Sequence, residues 1–167
     1  MKRPFQLNKT KVKQNIEAGE SIEAGGSIEA GWYIEAEYIE AGGYIEAGRS
    51  IEAGESIEAG ESIEAGEYIK AGVYIKAGGS YGIVAGLSIT CKGTLSFGLK
   101  AFAGICSWRE ISEEEKTITC GKLEGGVVEY GILTERGLEE DRKVELSMDE
   151  IAQKFGVDVK DLKIKKN

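Results

Sequence analysis

The chain has 167 residues, a formal net charge of −8 and 41% hydrophobic residues, so it is long enough for one elongated domain and a small second unit. It contains no histidine and only three cysteines, widely spaced, which argues against a zinc site and against histidine-dependent catalysis. No signal peptide is recognisable and no stretch approaches the roughly 20 apolar residues of a membrane span, so we expect a cytoplasmic protein without membrane contact.

Residues 1–15 hold five basic residues and no acidic ones. Apolar residues recur weakly among them, at Phe5, Leu7 and Val12. We interpret this segment as a basic cap over the first edge of the repeat that follows, because solenoid ends expose unpaired strand edges. The alternative is a nucleic-acid-binding arm. The bases have no aromatic residues interleaved with them, which favours the cap.

A six-residue phrase, Ile-Glu-Ala-Gly-x-Ser/Tyr, repeats from residue 16 to residue 78. Its isoleucines are Ile16, Ile22, Ile28, Ile34, Ile39, Ile45, Ile51, Ile57, Ile63, Ile69 and Ile75. The spacing is six residues except for the five-residue step from Ile34 to Ile39. So short a period predicts a solenoid, in which each repeat buries its apolar side against the copies above and below it.

Each phrase predicts one short strand and one corner. Ile and Ala are two residues apart and share one side of an extended chain, whereas Glu and Ser/Tyr share the other. Glycine allows a bend that residues with a Cβ resist, so we assign the corner to Gly-x. Aliphatic residues should therefore line the inside of the solenoid and glutamates the outside.

The residue before each isoleucine indicates how many phrases make one coil. It changes between serine and tyrosine at every third phrase: Asn15, Ser21, Ser27; Tyr33, Tyr38, Tyr44; Ser50, Ser56, Ser62; Tyr68, Tyr74. This second period predicts a triangular coil of about 18 residues with one phrase per side. Ile16, Ile34 and Ile51 should then lie above one another, with rings of tyrosine between rings of serine.

The apolar residues continue at the same spacing to residue 105, after a two-residue insertion near Tyr81, although the other residues of the phrase change. The region 16–105 is therefore predicted to form about five coils. It holds fourteen acidic residues against five basic ones. Stacking would align its outward glutamates in three vertical files: Glu17, Glu35 and Glu52; Glu23, Glu40 and Glu58; Glu29, Glu46 and Glu64.

The candidate site is the neighbourhood of the shortened repeat, where aromatic and acidic residues coincide. Its residues are Trp32, Tyr33, Glu35, Glu37, Tyr38, Glu40, Tyr44 and Glu46. Negative files attract basic surfaces by electrostatic steering, and tyrosine and tryptophan are enriched in interfaces. The alternative is a solubilising surface with no partner, because most charged runs are simply solvated.

After the repeat, residues 106–116 are interpreted as an acidic linker and residues 117–167 as a small α+β domain. Strands are predicted at 117–120, 127–133 and 143–146. Ser147 and Glu150 form a capping-box pattern, which predicts a helix that ends at Gly156. This unit could also mediate a homodimer.

The repeat phrases resemble those of two groups of proteins. Triangular β-helices of the bactofilin type have comparable coils and Ile-x-Ala-like phrases, and this resemblance implies self-assembly into a structural scaffold. The Ile-Glu-Ala-Gly phrase is also similar to short repeats in proteins of phages and mobile elements. That resemblance implies an inhibitor of host defence, of the anti-CRISPR or DNA-mimic type. Hexapeptide acyltransferases differ, because their small inward residue precedes the aliphatic one and their active sites generally use histidine.

The sequence therefore predicts a mainly β protein: a triangular β-helix of about five coils followed by a small α+β unit. No nucleophile elbow, phosphate-binding loop or metal-ligand spacing is present, so we expect neither an enzyme nor a cofactor. The predicted partner is a basic protein, such as a host nucleic-acid-binding effector, and the rod itself should not bind nucleic acid. The alternative function is the self-assembling scaffold.

Overall fold

The computed structural model of the chain describes residues 14–137, together with the backbone of residues 5–7 and 10–12. The strand expected at 143–146, the Ser147 capping box, the helix ending at Gly156 and the homodimer contact all lie outside the described residues.

The described chain is built almost wholly from short strands. The first ten are β1 (Phe5–Leu7), β2 (Thr10–Val12), β3 (Ile16–Glu17), β4 (Ser21–Ala24), β5 (Ile28–Ala30), β6 (Tyr33–Ala41), β7 (Ile45–Ala47), β8 (Ser50–Ala59), β9 (Ile63–Ala65) and β10 (Ile69–Ala71). The remainder are β11 (Tyr74–Lys76), β12 (Ile83–Ala85), β13 (Ile89–Cys91), β14 (Thr94–Ser96), β15 (Lys100–Ala103), β16 (Thr117–Cys120), β17 (Lys122–Glu124), β18 (Val127–Tyr130) and β19 (Ile132–Glu135). One 3-10 turn, Glu113–Glu115, interrupts them.

The strands wind into a parallel β-helix with three faces. Face 1 contains Ile16, Ile34 and Ile51 in direct register, as the alternation of serine and tyrosine predicts. Face 2 aligns Ile22, Ile39 and Ile57, and face 3 aligns the strands β2, β5, β7, β9, β12, β15 and β18. Seven strands on face 3 correspond to about seven coils. The predicted fold class and the period of about 18 residues are confirmed.

The core is a shaft of stacked aliphatic side chains. Every repeat isoleucine from Ile22 to Ile89 is at most 1% exposed, and the alanines two residues later are at most 8% exposed. Each side chain therefore packs against the same residue type about 4.8 Å above and below it. Outward residues on the same strands are largely exposed or half-buried, which is the inside–outside alternation that the phrase predicts.

The corner glycines are required for a different reason from the one the sequence suggests. Residues with positive φ are confined, among those described, to five glycines from Gly104 onward, so the repeat corners do not use left-handed backbone. Instead, a Cβ at Gly60 would lie 2.2 Å from the carbonyl oxygen of Gly42, one coil below. Gly66 and Gly86 show the same relation to the glycine beneath them. Glycine recurs because adjacent backbones pass too closely for any side chain.

The five-residue step leaves a single residue, Glu37, at one corner. Strand β6 runs through this corner without a break, as β8 does through the two-residue corner of the next coil, and the register between them shifts between Ala36 and Tyr38. Both the Glu37 and Tyr38 amides donate to the Glu20 carbonyl oxygen, at 2.9 and 3.0 Å. One carbonyl thus accepts two donors, so the missing residue leaves neither amide unpaired. The Glu37 side chain lies over Gly54 of the next coil.

The solenoid is longer at both ends than the region 16–105. Strands β1 and β2 of the predicted cap pair in parallel with β4 and β5, where they form part of a further coil. At the other end, β16 pairs with β13 and β17 with β14, so residues 117–135 stack on the rod. The boundary of a separate α+β domain predicted at residue 117 therefore differs from the structure. The predicted linker 106–116 is an insertion that leaves the rod after β15 and re-enters at β16.

The last coils are harder to recognise because their corners are shorter. The inward residues of these coils recur every five residues, at Ile118, Leu123, Val128 and Leu133. They nevertheless stack, in that order, on Ile89, Leu95, Ala101 and Ile118 of the coil below. A search at period six misses them. Their predicted strands at 117–120 and 127–133 are present, as β16, β18 and part of β19, but they belong to the β-helix.

Phe97 takes an inward position that alanine holds in the earlier coils, and it is 2% exposed. The coil above carries Gly125 and Gly126, which have φ values of +74° and +62°. A Cβ at Gly126 would lie 2.2 Å from the ring. Gly126 therefore leaves room for the ring, whereas a Cβ at Gly125 would lie 2.8 Å from the Phe97 carbonyl oxygen.

Strand β19 is the last described layer. Glu135 occupies a position that alanine or cysteine fills in the layers below, and its Oε1 accepts a 2.6 Å hydrogen bond from the Leu123 amide. A carboxylate at this position satisfies a backbone donor at the strand edge, which would otherwise be open to further pairing. Within the described part of the chain, no helix is long and apolar enough to cross a membrane.

The three cysteines differ in burial, which predicts their reactivity. Cys91 and Cys120 are buried in adjacent layers, and Cys106 is partly exposed. Burial raises the pKa of the Cys91 thiol to about 12 and also raises the pKa of Cys120. Only the thiolate reacts, so the raised pKa and the burial both make Cys91 unreactive near neutral pH. We expect a thiol reagent to label one cysteine, Cys106, in the folded protein and all three in urea. Rapid labelling of a second thiol without denaturant would contradict this burial.

Candidate functional site

The acidic residues of region 16–105 are confined to three consecutive coils. All fourteen acids of region 16–105 lie between Glu17 and Glu67, where Arg49 is the only base. From residue 68 to residue 109 the chain has five bases and no acid: Lys70, Lys76, Lys92, Lys100 and Arg109. We call residues 16–67 the acidic band. This division can be read directly from the sequence, but it is hidden when the charge is summed over 16–105.

Within the acidic band the three predicted glutamate files are present. Glu17 pairs with Glu35, and Glu35 with Glu52, on face 1. Glu23, Glu40 and Glu58 align on face 2, and Glu29, Glu46 and Glu64 on face 3. Like charges one layer apart repel each other, so each file costs stability unless other groups compensate.

Tyrosines and lysines of neighbouring coils supply part of that compensation. The hydroxyls of Tyr33 and Tyr44 donate to the carboxylates of Glu17 and Glu29 in the coil before them. The hydrogen bond from Tyr33 to Glu17 raises the pKa of the phenol, because its ionisation would place two anions together. Lys70 and Lys76 follow the glutamates in register and form ion pairs with Glu52 and Glu58.

Many carboxylates of the band nevertheless have no such partner. Among the described residues, nine make neither a hydrogen bond nor an ion pair through their side chains: Glu20, Glu23, Glu35, Glu37, Glu40, Glu46, Glu55, Glu61 and Glu64. Glu35 and Glu40 lie close enough to Lys70 and Lys76 to help raise the pKa values of these lysines, but they form no ion pair with them. The band therefore presents a strongly negative surface on all three faces.

The predicted site residues lie in one coil but on different faces. Tyr33 and Glu35 lie on face 1, beside Trp32 at the preceding corner, and Glu37 occupies the next corner. Tyr38 and Glu40 lie on face 2, and Tyr44 and Glu46 on face 3. The eight residues encircle the rod, so one flat partner surface cannot contact all of them. Two of the eight, Tyr33 and Glu35 on face 1, line a defined concavity.

That concavity is a cleft of about 260 Å³ on face 1. Its walls are Tyr33 and Tyr68, and Ser50 of the intervening coil lies between them. Glu35, Glu52, Glu67 and Arg49 border it. We call it the Ser50 cleft. The sequence did not lead us to include four of the lining residues in the site: Arg49, Ser50, Glu67 and Tyr68. The available signal was the serine–tyrosine alternation, which implies a gap wherever a serine separates two tyrosines.

The corner beside the cleft holds a short stack of side chains. The Arg49 guanidinium carbon lies 5.7 Å from the centre of the Trp32 ring, a cation–π distance. Its Nε donates to Glu67 Oε1 at 2.8 Å. Trp32, which is 53% exposed, therefore serves as a platform for Arg49 on an otherwise open surface.

A second polar cluster lies in the insertion 104–116. Arg109 donates to both carboxylate oxygens of Glu115, at 3.0 and 2.5 Å, and the Ser112 amide also donates to Glu115 at 3.0 Å. These hydrogen bonds, the one from Arg109 foremost, lower the pKa of Glu115 to about 2. The contacts hold the insertion in its turn, next to the exposed Trp108. All the donors to Glu115 are accounted for within the insertion, so the cluster is structural.

The ion pairs of Lys70 with Glu52 and of Lys76 with Glu58 predict that the stability of the fold depends on pH. Hydrogen bonds to Glu52 and Glu58 raise the pKa values of Lys70 and Lys76 above 10.5. A raised pKa in the folded state stabilises the fold below pH 10.5, and this contribution is lost as pH rises through the folded value. Lys70→Met and Lys76→Met should each destabilise the fold by about 0.5 kcal/mol at pH 7, the usual size for exposed pairs. Urea titrations should show the difference from the unmodified chain shrinking as the pH rises above 10.5 and through the folded-state pKa of the lysine. A difference that persists there would refute the assignment.

In the part of the chain that the structure describes, no three histidine, cysteine, aspartate or glutamate side chains are grouped so that they could hold a metal ion. The site is therefore characterised by its charge, its tyrosines and its cleft. No protein-family model matches the chain, and neither a curated protein nor a solved structure matches it.

Proposed function

We propose that this protein is a non-enzymatic binding protein whose acidic band contacts a basic protein. A partner that normally binds nucleic acid is the natural class, because its binding surface already carries clustered positive charge. Occupying that surface would inhibit the partner, so an inhibitor of host defence, encoded by a phage or mobile element, is the biological role we propose. Anti-CRISPR and DNA-mimic proteins are the type of inhibitor we have in mind.

The observation that carries the proposal is the confinement of fourteen acids to three coils, nine of them without partners among the described side chains. A solubilising surface does not require such crowding, because alternating charges solubilise a rod without repulsion along the files. Repulsion within a file is a cost to the isolated protein. A basic partner would relieve this cost on binding, and the same field would accelerate encounter.

The arrangement favours mimicry of the electrostatic field of a nucleic acid rather than of the spacing of its phosphates. Glutamates in a file are about 4.8 Å apart, one per layer. Phosphates along one DNA strand are about 3.4 Å apart. A partner that reads overall charge would accept the rod, whereas one that requires phosphate register would not.

The proposal is tested with variants that change the same number of charges in different places. Glu23→Gln with Glu40→Gln removes two negative charges from face 2, and Glu46→Gln with Glu64→Gln removes two from face 3. The control, Thr90→Lys with Ser96→Lys, adds two positive charges on β13 and β14, outside the band. All three variants change the net charge from −8 to −6.

We expect at least one glutamine pair to slow association with a basic partner roughly tenfold at low salt, and the lysine control to have little effect. The partner would be isolated by capture on the immobilised protein, identified, and used in purified form for the kinetic measurements. Equal effects of all three variants would show that net charge alone matters. That result would refute a role for the band.

A self-assembling scaffold is the second candidate. It is favoured by the last described layer, where Leu133 stacks on the inward Ile118 yet is 36% exposed, so that it could pack against another rod. Sedimentation at physiological salt separates the two functions. Long polymers would indicate the scaffold, whereas a discrete small species would indicate the binding protein.

A further inference from the structure

We propose that the Ser50 cleft binds an arginine side chain of the partner, with its guanidinium between the phenol rings of Tyr33 and Tyr68. This inference rests on the proposed function and adds a residue type and a place of contact to it. The acidic band alone would attract lysine and arginine alike. The cleft would distinguish them.

The spacing of the walls fits a single flat cation. Tyr33 and Tyr68 occupy the same position of the repeat in coils two layers apart, with Ser50 between them. The backbones that carry the two rings are two layers, about 9.6 Å, apart, so a cation in the intervening coil would lie about 4.8 Å from each of these layers. Rings that extend outward at this spacing would place the cation within the roughly 6 Å at which an aromatic ring attracts it. The cleft, at about 260 Å³, falls just below the range of drug-sized pockets, which suits one side chain rather than a cofactor.

The charges around the cleft leave one carboxylate available. Glu52 is paired with Lys70, and Glu67 is paired with Arg49. Glu35, exposed at the edge of the cleft, makes no hydrogen bond or ion pair with any described side chain. A guanidinium between the rings could therefore donate to Glu35 without displacing an existing pair. The positive charge of Arg49 does not oppose entry strongly, because Glu67 already neutralises it.

The molecule itself holds an arginine in a comparable way at the border of the cleft. Arg49 stacks over Trp32 at 5.7 Å and donates to Glu67 at 2.8 Å, so it combines an aromatic face with a carboxylate. Arginine suits such a site better than lysine, because its planar, weakly hydrated guanidinium stacks on rings while its N–H groups remain free to donate. The Ser50 cleft would offer two faces where Arg49 has one.

The equivalent position on face 2 is closed. Ser56 lies between Tyr38 and Tyr74 in the same register, but it is only 6% exposed. The Tyr74 hydroxyl points to Glu58 at 3.5 Å, in the same coil as Ser56. Face 2 therefore supplies a matched position that shares the sequence pattern but lacks the open serine, and its tyrosine serves as a control.

The test uses three capped pentapeptides of the form Gly-Gly-x-Gly-Gly, in which x is arginine, lysine or citrulline. Citrulline keeps the flat shape of arginine without its charge, and lysine keeps the charge without the shape. Binding is followed by amide chemical shifts of the labelled protein. We expect arginine to bind roughly 5- to 30-fold tighter than lysine, from two cation–π contacts, with the largest shifts at Ser50 and Tyr68.

Variants then locate the preference. Tyr68→Ser should reduce arginine binding to the level of lysine, whereas Tyr74→Ser, in the same coil on face 2, should leave the preference unchanged. Circular dichroism and urea unfolding verify that both variants fold. Equal binding of arginine and lysine, with citrulline weaker, would overturn the cleft but leave attraction by the acidic band intact. A preference for arginine that survives Tyr68→Ser would also overturn the cleft.

Discussion

Gly60→Ala should destabilise the protein by about 3 kcal/mol, the upper part of the usual range for overpacking. A Cβ at residue 60 would lie 2.2 Å from the carbonyl oxygen of Gly42, and the contact is backbone, which cannot rotate away. Relief would require the two coils to separate at this corner. The hydrogen bond from the Gly60 amide to the Ala41 carbonyl, 2.8 Å, would be weakened at the same time. Urea unfolding measures the loss.

Gly25→Ala provides the control within the same vertical file. Gly25 lies beneath Gly42 at the corresponding corner, and a Cβ there would have nothing within 4 Å. Its φ is not positive, so alanine is tolerated and should stabilise the fold by about 0.4–1 kcal/mol through the unfolded state. The two substitutions are chemically identical. If both destabilised equally, glycine would be needed for the bend itself, as the sequence suggested, and not for the approach of successive coils.

Ile57→Ala should cost a similar amount, about 3 kcal/mol, within the 2–5 kcal/mol typical of buried isoleucine truncation. Ile57 is fully buried and stacks between Ile39 and Ile75, which are themselves at most 1% exposed. The coils on either side hold isoleucine at the same position, so no larger neighbour can move into the cavity. Ile57→Val, which removes one methyl group, should cost about 1 kcal/mol.

The loss at Ile57 should also be local. In a solenoid each coil contacts only its neighbours, so stability is approximately a sum of coil and interface contributions. Hydrogen exchange should therefore accelerate most in the coil of β8 and β9 and in the coils on either side. Uniform acceleration from β4 to β16 would show instead that the rod unfolds as one unit.

The stacking of the repeat could be predicted from the sequence because it is encoded twice. The period of six places Ile57 and Ala59 on one side of a strand, and the change from Ser56 to Tyr74 identifies the residue one coil away. Both signals agree, and the predicted alignment of Ile16, Ile34 and Ile51 is confirmed. A tyrosine ladder in every layer would be crowded at about 4.8 Å, which is why the alternation follows the coil.

The end of the repeat could not be predicted in the same way. Ile118, Leu123 and Val128 continue the shaft, but their spacing of five residues and the glycines between them resemble an ordinary run of short strands. The step from Ile34 to Ile39 was the available signal, since it shows that this solenoid tolerates a corner of one residue. The insertion 104–116 concealed the connection further.

By itself, the sequence determined the architecture: isoleucine and alanine two residues apart must share one side of a strand, and only stacking of identical coils buries them all. It also determined that glutamates would form files. The tertiary structure alone decided which of those carboxylates are paired, that the eight candidate residues encircle the rod, and that a cleft opens at Ser50 but not at Ser56. These properties depend on side chains from different coils meeting across the corners and layers of the rod, and the distances between them are not specified by any one repeat.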